Sequence, residues 1–332
     1  MRGRGARLLG AGAALGAAAW AADTLVDARR RANGRRPEAT GRAAGEATIV
    51  EAADGTQLHA ETFGPDGAPT IVLAHAWMCS LELWQGQIEN LMGDFRVVAY
   101  DHRGHGRSEP ARNGDYSIET LGSDLGSVIA ACVPEGERAV VAGHSTGAMA
   151  LVAWAGEEPD DVRRRVSAAA LINTGMSGLI AGSTLLGPPE RLGRRREVVG
   201  RSVMGSRARF QARPARVVHR VVRRVAMGPT ASAADVALVA RLAAACPPDV
   251  RAAFGLTLAG LDIDDAVDSL AVPTLVIAGT SDRLTPPSHS RRLAERLPEP
   301  VELIELPGIG HMAPIEAREE VSTMLRGLLE RG

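Results

Sequence analysis

The sequence predicts an α/β protein: a mostly parallel, eight-stranded sheet with helices on both faces and a helical cap inserted late in the chain. Three observations carry this expectation. From about residue 47 onward, short apolar runs rich in β-branched residues alternate with stretches of helical spacing. Most of these runs are apolar throughout, as strands covered on both faces require. One interval, between Gly175 and Leu270, breaks the rhythm. It contains no convincing strand and has helical spacing at 217–227 and 234–244.

Taken in order, residues 48–52 and 58–63 flank Asp54-Gly55, a hairpin signal that predicts an antiparallel edge. The runs TIVLA at 70–74, RVVAY at 96–100 and AVVA at 139–142 read as buried strands, with helical spacing at 83–91 and 117–131 between them. A helix of small residues, 146–155, follows the third run at once. AAALI at 168–172, TLVIA at 274–278 and VELIEL at 301–306 complete the set of eight. This divides the chain into an N-terminal segment (1–45), a core in two parts (46–175 and 271–332) and a cap (176–270).

Composition narrows the chemistry. A formal net charge of −1 over 332 residues gives no global attraction to nucleic acid. Every basic residue is Arg, and the absence of Lys excludes Schiff-base and Lys-base mechanisms. Cys79, Cys132 and Cys246 are odd in number and widely spaced, so they imply buried free thiols and no disulfide framework. No Cys/His cluster has metal-ligand spacing. The N-terminal segment has Arg2, Arg4 and Arg7, then a mildly apolar stretch at 8–22, then Arg29, Arg30, Arg31, Arg35 and Arg36. That stretch is shorter than the roughly 20 residues that cross a bilayer. Three readings compete: an uncleaved anchor or peripheral helix, a cleaved signal, and a disordered tail. The first predicts membrane association through residues 1–36; an exported or a cytoplasmic location is the alternative.

The motif that carries chemistry is Gly143-His144-Ser145-Thr146-Gly147, set between an apolar strand and a small-residue helix. A Ser exposed on a sharp strand-to-helix turn needs strained backbone and close packing, which small residues on either side permit. The turn also puts Ser145 at a helix N-terminus, where backbone N–H groups stabilise developing negative charge. A Ser hydroxyl needs a base. Of the eight His, His311 in Gly308-Ile309-Gly310-His311-Met312 follows the last strand on a glycine-flanked loop and is the best placed. His59, His219 and His289 are less so. The base needs a carboxylate to fix its tautomer. Asp282 directly follows the strand at 274–278, at the end where parallel-sheet sites form. The rival position after the strand at 168–172 offers Asn173 and no carboxylate. The bland reading of Asp282 is an N-cap for the next helix.

The order Ser, Asp, His on successive strand ends makes the sequence, over about residues 47–331, resemble the α/β-hydrolase fold family, and within it the capped serine esterase- and haloperoxidase-like members. Two further segments support the resemblance. His75-Ala76-Trp77 stands where the family carries His-Gly-x, and Asp101-His102-Arg103-Gly104-His105-Gly106-Arg107-Ser108 is similar to the family's Asp-x-Arg-Gly-x-Gly-x-Ser loop. The resemblance implies that the backbone N–H groups of Trp77 and Thr146 form an oxyanion hole. It also implies that the loop of His102 and His105 is structural. Ala76 departs from the family's Gly; if that position needs φ > 0, Ala strains the loop. Ser145 argues against haloalkane dehalogenases and epoxide hydrolases of this fold, which need a carboxylate nucleophile.

The expected function is hydrolysis of a carboxylic ester-like bond in a small-molecule acyl substrate through an acyl-enzyme, with no cofactor. Perhydrolysis, thioester or carbon–carbon bond hydrolysis and acyl transfer use the same three residues and stay open, as does a catalytically silent member that only binds a ligand. The cap is rich in Arg between Glu190 and Arg224, including Arg201, Arg216, Arg220, Arg223 and Arg224. Contact with anionic lipid, capture of a substrate carboxylate, or a solvated face paired with Asp262, Asp264, Asp265 and Asp268 are the readings of that run.

Overall fold

The computed structural model describes residues 45–185, 187, 195–208 and 215–331. The expected N-terminal anchor or signal, and part of the Arg-rich run, lie outside the described residues. Among the described residues no helix is long and apolar enough to cross a membrane.

Eight strands form one sheet: β1 (Glu46–Glu51), β2 (Gln57–Phe63), β3 (Thr70–Ala74), β4 (Arg96–Tyr100), β5 (Ala139–His144), β6 (Val166–Ile172), β7 (Thr274–Gly279) and β8 (Pro300–Leu306). Their order across the sheet is β1-β2-β4-β3-β5-β6-β7-β8. β1 pairs antiparallel with β2, and β2 with β4. All other pairings are parallel. The fold class expected from the sequence is the one observed.

The helices, in chain order, are α1 (Gln85–Leu91), α2 (Ile118–Cys132), α3 (Thr146–Glu157), α4 (Pro159–Arg165), α5 (Leu179–Gly182), α6 (Arg195–Met204), α7 (Ala215–Val225), α8 (Ala233–Ala245), α9 (Pro248–Ala259), α10 (Pro287–Arg296), α11 (Ala313–Glu316) and α12 (Arg318–Leu329). The unbroken apolar runs of the central strands follow from cover on both faces. In β3, Val72 and Ala74 join the core under α2, α3 and α10, while Ile71 and Leu73 join the core under α1 and α12. β4 and β5 alternate in the same way. Between β6 and β7 the chain runs through α5 to α9. Within this helical insert, α9 contributes Val250, Phe254 and Leu258 to the first core, and α8 contributes Val236, Val239 and Leu242 to the second.

Helix α2 starts where Ser117 Oγ accepts the N–H of Thr120. It lies so close to α3 that a Cβ on Gly122 would stand 2.8 Å from the backbone nitrogen of Trp154. The small residues of both helices permit that approach. The other fixed point is Arg103, which is 1% exposed. Its Nε and Nη2 each donate to Asp124 of α2 at 2.6 Å, and Nη1 donates to Asp54 in the β1–β2 turn at 3.2 Å. One guanidinium therefore ties the hairpin, the loop after β4 and α2 together. Arg103→Met leaves Asp124 buried without its cation, and is expected to lower stability by about 3–5 kcal/mol in urea unfolding; a loss under 1 kcal/mol would overturn this account of the loop.

Candidate active site

β5 ends at His144 and α3 begins at Thr146, so Ser145 is the whole turn between them. Its backbone is held at φ 52 and ψ −112, a conformation that costs a non-glycine residue of order 1–3 kcal/mol. The surroundings enforce it. The Ser145 N–H donates to Ile172 O at 2.9 Å, and its carbonyl accepts the N–H of Ala148 and Met149 and the Thr174 hydroxyl at 3.0–3.1 Å. A Cβ at position 143 would meet the nitrogen of Ala148 at 2.3 Å, and one at position 147 the carbonyl oxygen of Ala74 at 2.2 Å. Glycine is the residue that fits either place. The Ser145 side chain makes no capping bond to its own helix.

Asp282 follows β7 and is buried. Its Oδ2 accepts from His311 Nδ1 at 2.8 Å, from Asn173 Nδ2 at 3.0 Å and from Thr285 Oγ1 at 2.9 Å. Its Oδ1 accepts the N–H groups of Leu284 and Thr285 at 2.8 and 3.0 Å. Asp282 is not the cap of the next helix, which begins at Pro287 behind Pro286; its Oδ1 closes a turn with Leu284 and Thr285, and its Oδ2 faces His311. Burial alone would raise its pKa. The adjacent His311 and the donated hydrogen bonds outweigh burial and hold it below the usual carboxylate value. A carboxylate only accepts, so His311 Nδ1 carries a proton in this bond.

His311 is fixed through its backbone too. Its N–H donates to Ala226 O at 2.8 Å, and its carbonyl accepts from His144 Nε2 at 2.7 Å. His144, the neighbour of Ser145, stands ring to ring with His311 at 5.1 Å. Burial, with His311 beside it, pushes the His144 pKa down to about 3. The serine turn and the His311 loop are thus tied by a neutral imidazole. Of the residues read from the sequence, Ser145, His311 and Asp282 come to one end of the sheet. His59 stands apart on β2 against Glu61, and His289 lies in α10. Sequence reading missed the roles of His144, Asn173 and Thr285. Asn173, at the end of β6 with φ 47, carried the clearest signal: a polar residue at a parallel strand's C-terminal end.

Trp77 and Thr146, expected as oxyanion donors, are neighbours. The Trp77 N–H donates to Thr146 Oγ1 at 3.3 Å, and Thr146 opens α3, where first-turn N–H groups lack intrahelical acceptors. The expected strain at Ala76 is not found: the left-handed backbone falls on Met78, at φ 63. The loop is held by imidazoles. Met78 N–H donates to His105 Nε2 at 3.2 Å, His102 N–H donates to His75 Nε2 at 2.9 Å, and His102 Nε2 donates to His75 O at 2.8 Å. Burial pushes His102 to about 3, His105 to about 4 and His75 well below its ordinary value. Among the described residues no cluster of His, Cys, Asp or Glu is arranged to hold a metal.

The model of the alpha/beta hydrolase fold family matches residues 69–317, well over half of the chain. The chain belongs to the α/β-hydrolase fold family. Over 279 residues this α/β hydrolase is 29% identical to the RutD protein of Caulobacter sp. (strain K31), whose name assigns it to carbamate hydrolysis; the match covers 78% of this chain and 90% of that protein. Over 113 residues it is 34% identical to the bifunctional esterase/perhydrolase DCH of Acinetobacter calcoaceticus, covering 34% of this chain and 40% of that one. Among solved structures it is similar to the enol-lactonase from Burkholderia xenovorans LB400, with 27% identity and a TM-score of 0.66 over 85% of this chain and 100% of that one. The thermophilic esterase from Thermogutta terrifontis shares the fold, with a TM-score of 0.70 over 86% of this chain and 98% of that one, at 23% identity.

Gly147→Ala drives a methyl group into the Ala74 carbonyl and is expected to cost about 1–3 kcal/mol of stability. Ala76→Gly relieves nothing, costs roughly 0.5–1 kcal/mol and leaves any hydrolytic turnover within about twofold. Equal urea midpoints for the two variants would refute the contrast. The buried imidazoles make a separate prediction. His75, His102, His105 and His144 have folded pKa values below the unfolded value of about 6.5, so unfolding takes up their protons. Their stabilisation is complete above about pH 6.5 and is lost as pH falls, at up to about 1.4 kcal/mol per histidine per pH unit. The urea midpoint should drop clearly between pH 7 and pH 5; an unchanged midpoint counts against neutral imidazoles in these loops.

Proposed function

We propose that this α/β hydrolase cleaves a carboxylic ester-like bond of a small-molecule acyl substrate, with Ser145 as nucleophile, His311 as base and Asp282 as the residue that orients the base. The observation that carries the reading is the 2.8 Å contact between His311 Nδ1 and Asp282 Oδ2, in a loop that His144 ties to the strained turn of Ser145. Ser145 Oγ attacks the substrate carbonyl carbon as its proton passes to His311 Nε2. The imidazolium returns that proton to the departing alkoxide, leaving an acyl-enzyme ester on Ser145. Water then attacks this ester, giving its proton to Nε2, and the acid leaves as Ser145 regains its proton. The developing oxyanion would take the N–H groups of Trp77 and Thr146. Trp77 N–H exchanges the Thr146 hydroxyl for the substrate oxygen in this step, and one such donor is worth about 10²–10³ in kcat. Nothing in the sequence of steps calls for a cofactor.

The likeness to RutD over most of the chain favours a second reading, in which the acyl group is a carbamate. A panel of p-nitrophenyl esters of increasing acyl length, run beside a p-nitrophenyl carbamate, separates the two. Faster turnover of the carbamate favours the second. In either case a fluorophosphonate probe should label wild-type protein at neutral pH and spare Ser145→Ala. Asp282→Asn should lower kcat by a factor on the order of 10³–10⁴ by presenting the wrong tautomer. Wild-type protein that takes no label and turns over no substrate of the panel would end the serine-hydrolase reading.

A further inference from the structure

The loop that carries His311 is anchored by a second carboxylate, that of Glu316 in α11. Glu316 Oε1 accepts the N–H groups of Gly310 and Met312, on either side of His311, at 3.1 and 3.2 Å. Its Oε2 accepts the N–H of Gly228 at 2.7 Å. Gly228 belongs to the helical insert, in the stretch 226–228 that also supplies the Ala226 carbonyl to the His311 N–H. Two carbonyls of the loop are taken as well, Gly310 O by Asn173 Nδ2 at 3.1 Å and His311 O by His144 Nε2 at 2.7 Å. The insert and the loop meet backbone to backbone. A Cβ on Gly228 would stand 2.2 Å from Gly308 O, and one on Gly310 would stand 2.3 Å from the Gly228 nitrogen.

Three N–H donors converging on both oxygens suit an anion and nothing else of this size. An amide would turn an NH₂ group toward at least one of them. A half-buried carboxylate is a poor choice for stability alone, because its desolvation offsets part of what the bonds contribute. What the carboxylate achieves is geometric: it joins the segment before the base, the segment after it and the insert at one point.

We propose that Glu316 is a positioning residue that seats the His311 ring by fastening its loop to the insert, so that the base is in place only while residues 226–228 are docked. This rests on the serine-hydrolase reading above. Any displacement of the 226–228 stretch removes Gly228 from Oε2 and Ala226 from the His311 N–H together. The insert and the base therefore move as one unit, and the competence of the base reports whether the insert is closed.

The test has two arms. Glu316→Gln keeps the size and removes an acceptor; misplacement of the base by a fraction of an ångström up to about 1 Å should lower kcat about 10- to 100-fold with KM within about twofold. Glu320→Gln, an exposed carboxylate on α12, should leave both unchanged. In wild-type protein, native-state amide exchange at Gly228, Gly310, His311 and Met312 should open as one unit, and Glu316→Gln should speed all four by about tenfold or more while β5 amides hold. The exchange arm needs only wild-type protein for its first result, so a variant that fails to fold does not blunt it. Independent exchange of Gly228 and Met312 in wild type, or wild-type kcat in Glu316→Gln, overturns the proposal. Wild-type protein that hydrolyses nothing sinks the serine-hydrolase reading instead, and the positioning role with it.

Discussion

Position 147 touches the carbonyl oxygen of Ala74 so closely that no side chain fits between them. That approach sets where α3 starts relative to β3, and the rest of the site depends on it. With α3 pressed onto the end of β3, the turn from β5 has one residue in which to reverse, and Ser145 takes the strained conformation that results. The same contact brings the first turn of α3 beside the loop after β3, so that Trp77 and Thr146 become hydrogen-bonded neighbours. A wider spacing between strand and helix would relax the turn and separate the two groups in one movement.

The parallel order of β3, β5, β6, β7 and β8 does the remaining placement. Each strand delivers its following loop to the same edge of the sheet. Trp77 follows β3, Ser145 β5, Asn173 β6, Asp282 β7 and His311 β8. Within that arrangement Asp282 is held from every side. Turn N–H groups occupy one oxygen, and the Asn173 amide, the Thr285 hydroxyl and the His311 imidazole occupy the other. The turn bonds orient the carboxylate before the imidazole contributes anything, which is the condition for a preorganised charge.

Much of this was legible in the sequence, and what was not has a common cause. β3, β4 and β5 are legible because strands covered on both faces are apolar along their whole length, and the Gly143–Gly147 pattern is legible because close packing admits so few residue types. Asp282 and His311 could be placed by following strand ends. Asn173 could not be given its role, since its amide meets Asp282 only through the register that pairs Ile172 with Ile277. Glu316 was invisible for the same reason: its partners include Gly228, far away in sequence, and main-chain donors leave no residue-type signature. At Ala76 the sequence leaves open whether the backbone needs positive φ; the chain makes that reversal two residues later, at Met78.

The histidines show how burial sorts one side-chain type into two kinds of work. His75, His102, His105 and His144 are all buried, and each meets mainly backbone N–H and C=O groups. Desolvation dominates, so they stay neutral; His75 and His105 bridge with both ring nitrogens, one donating and one accepting, while His102 and His144 bond through Nε2. His311 is buried too but differs in its partner. Its Nδ1 rests on a carboxylate that is itself held below the ordinary range. A positive charge that would be prohibitive on His144 has a counter-charge at His311. The placement of a single buried aspartate thus sets His311 apart from the imidazoles that meet mainly backbone groups.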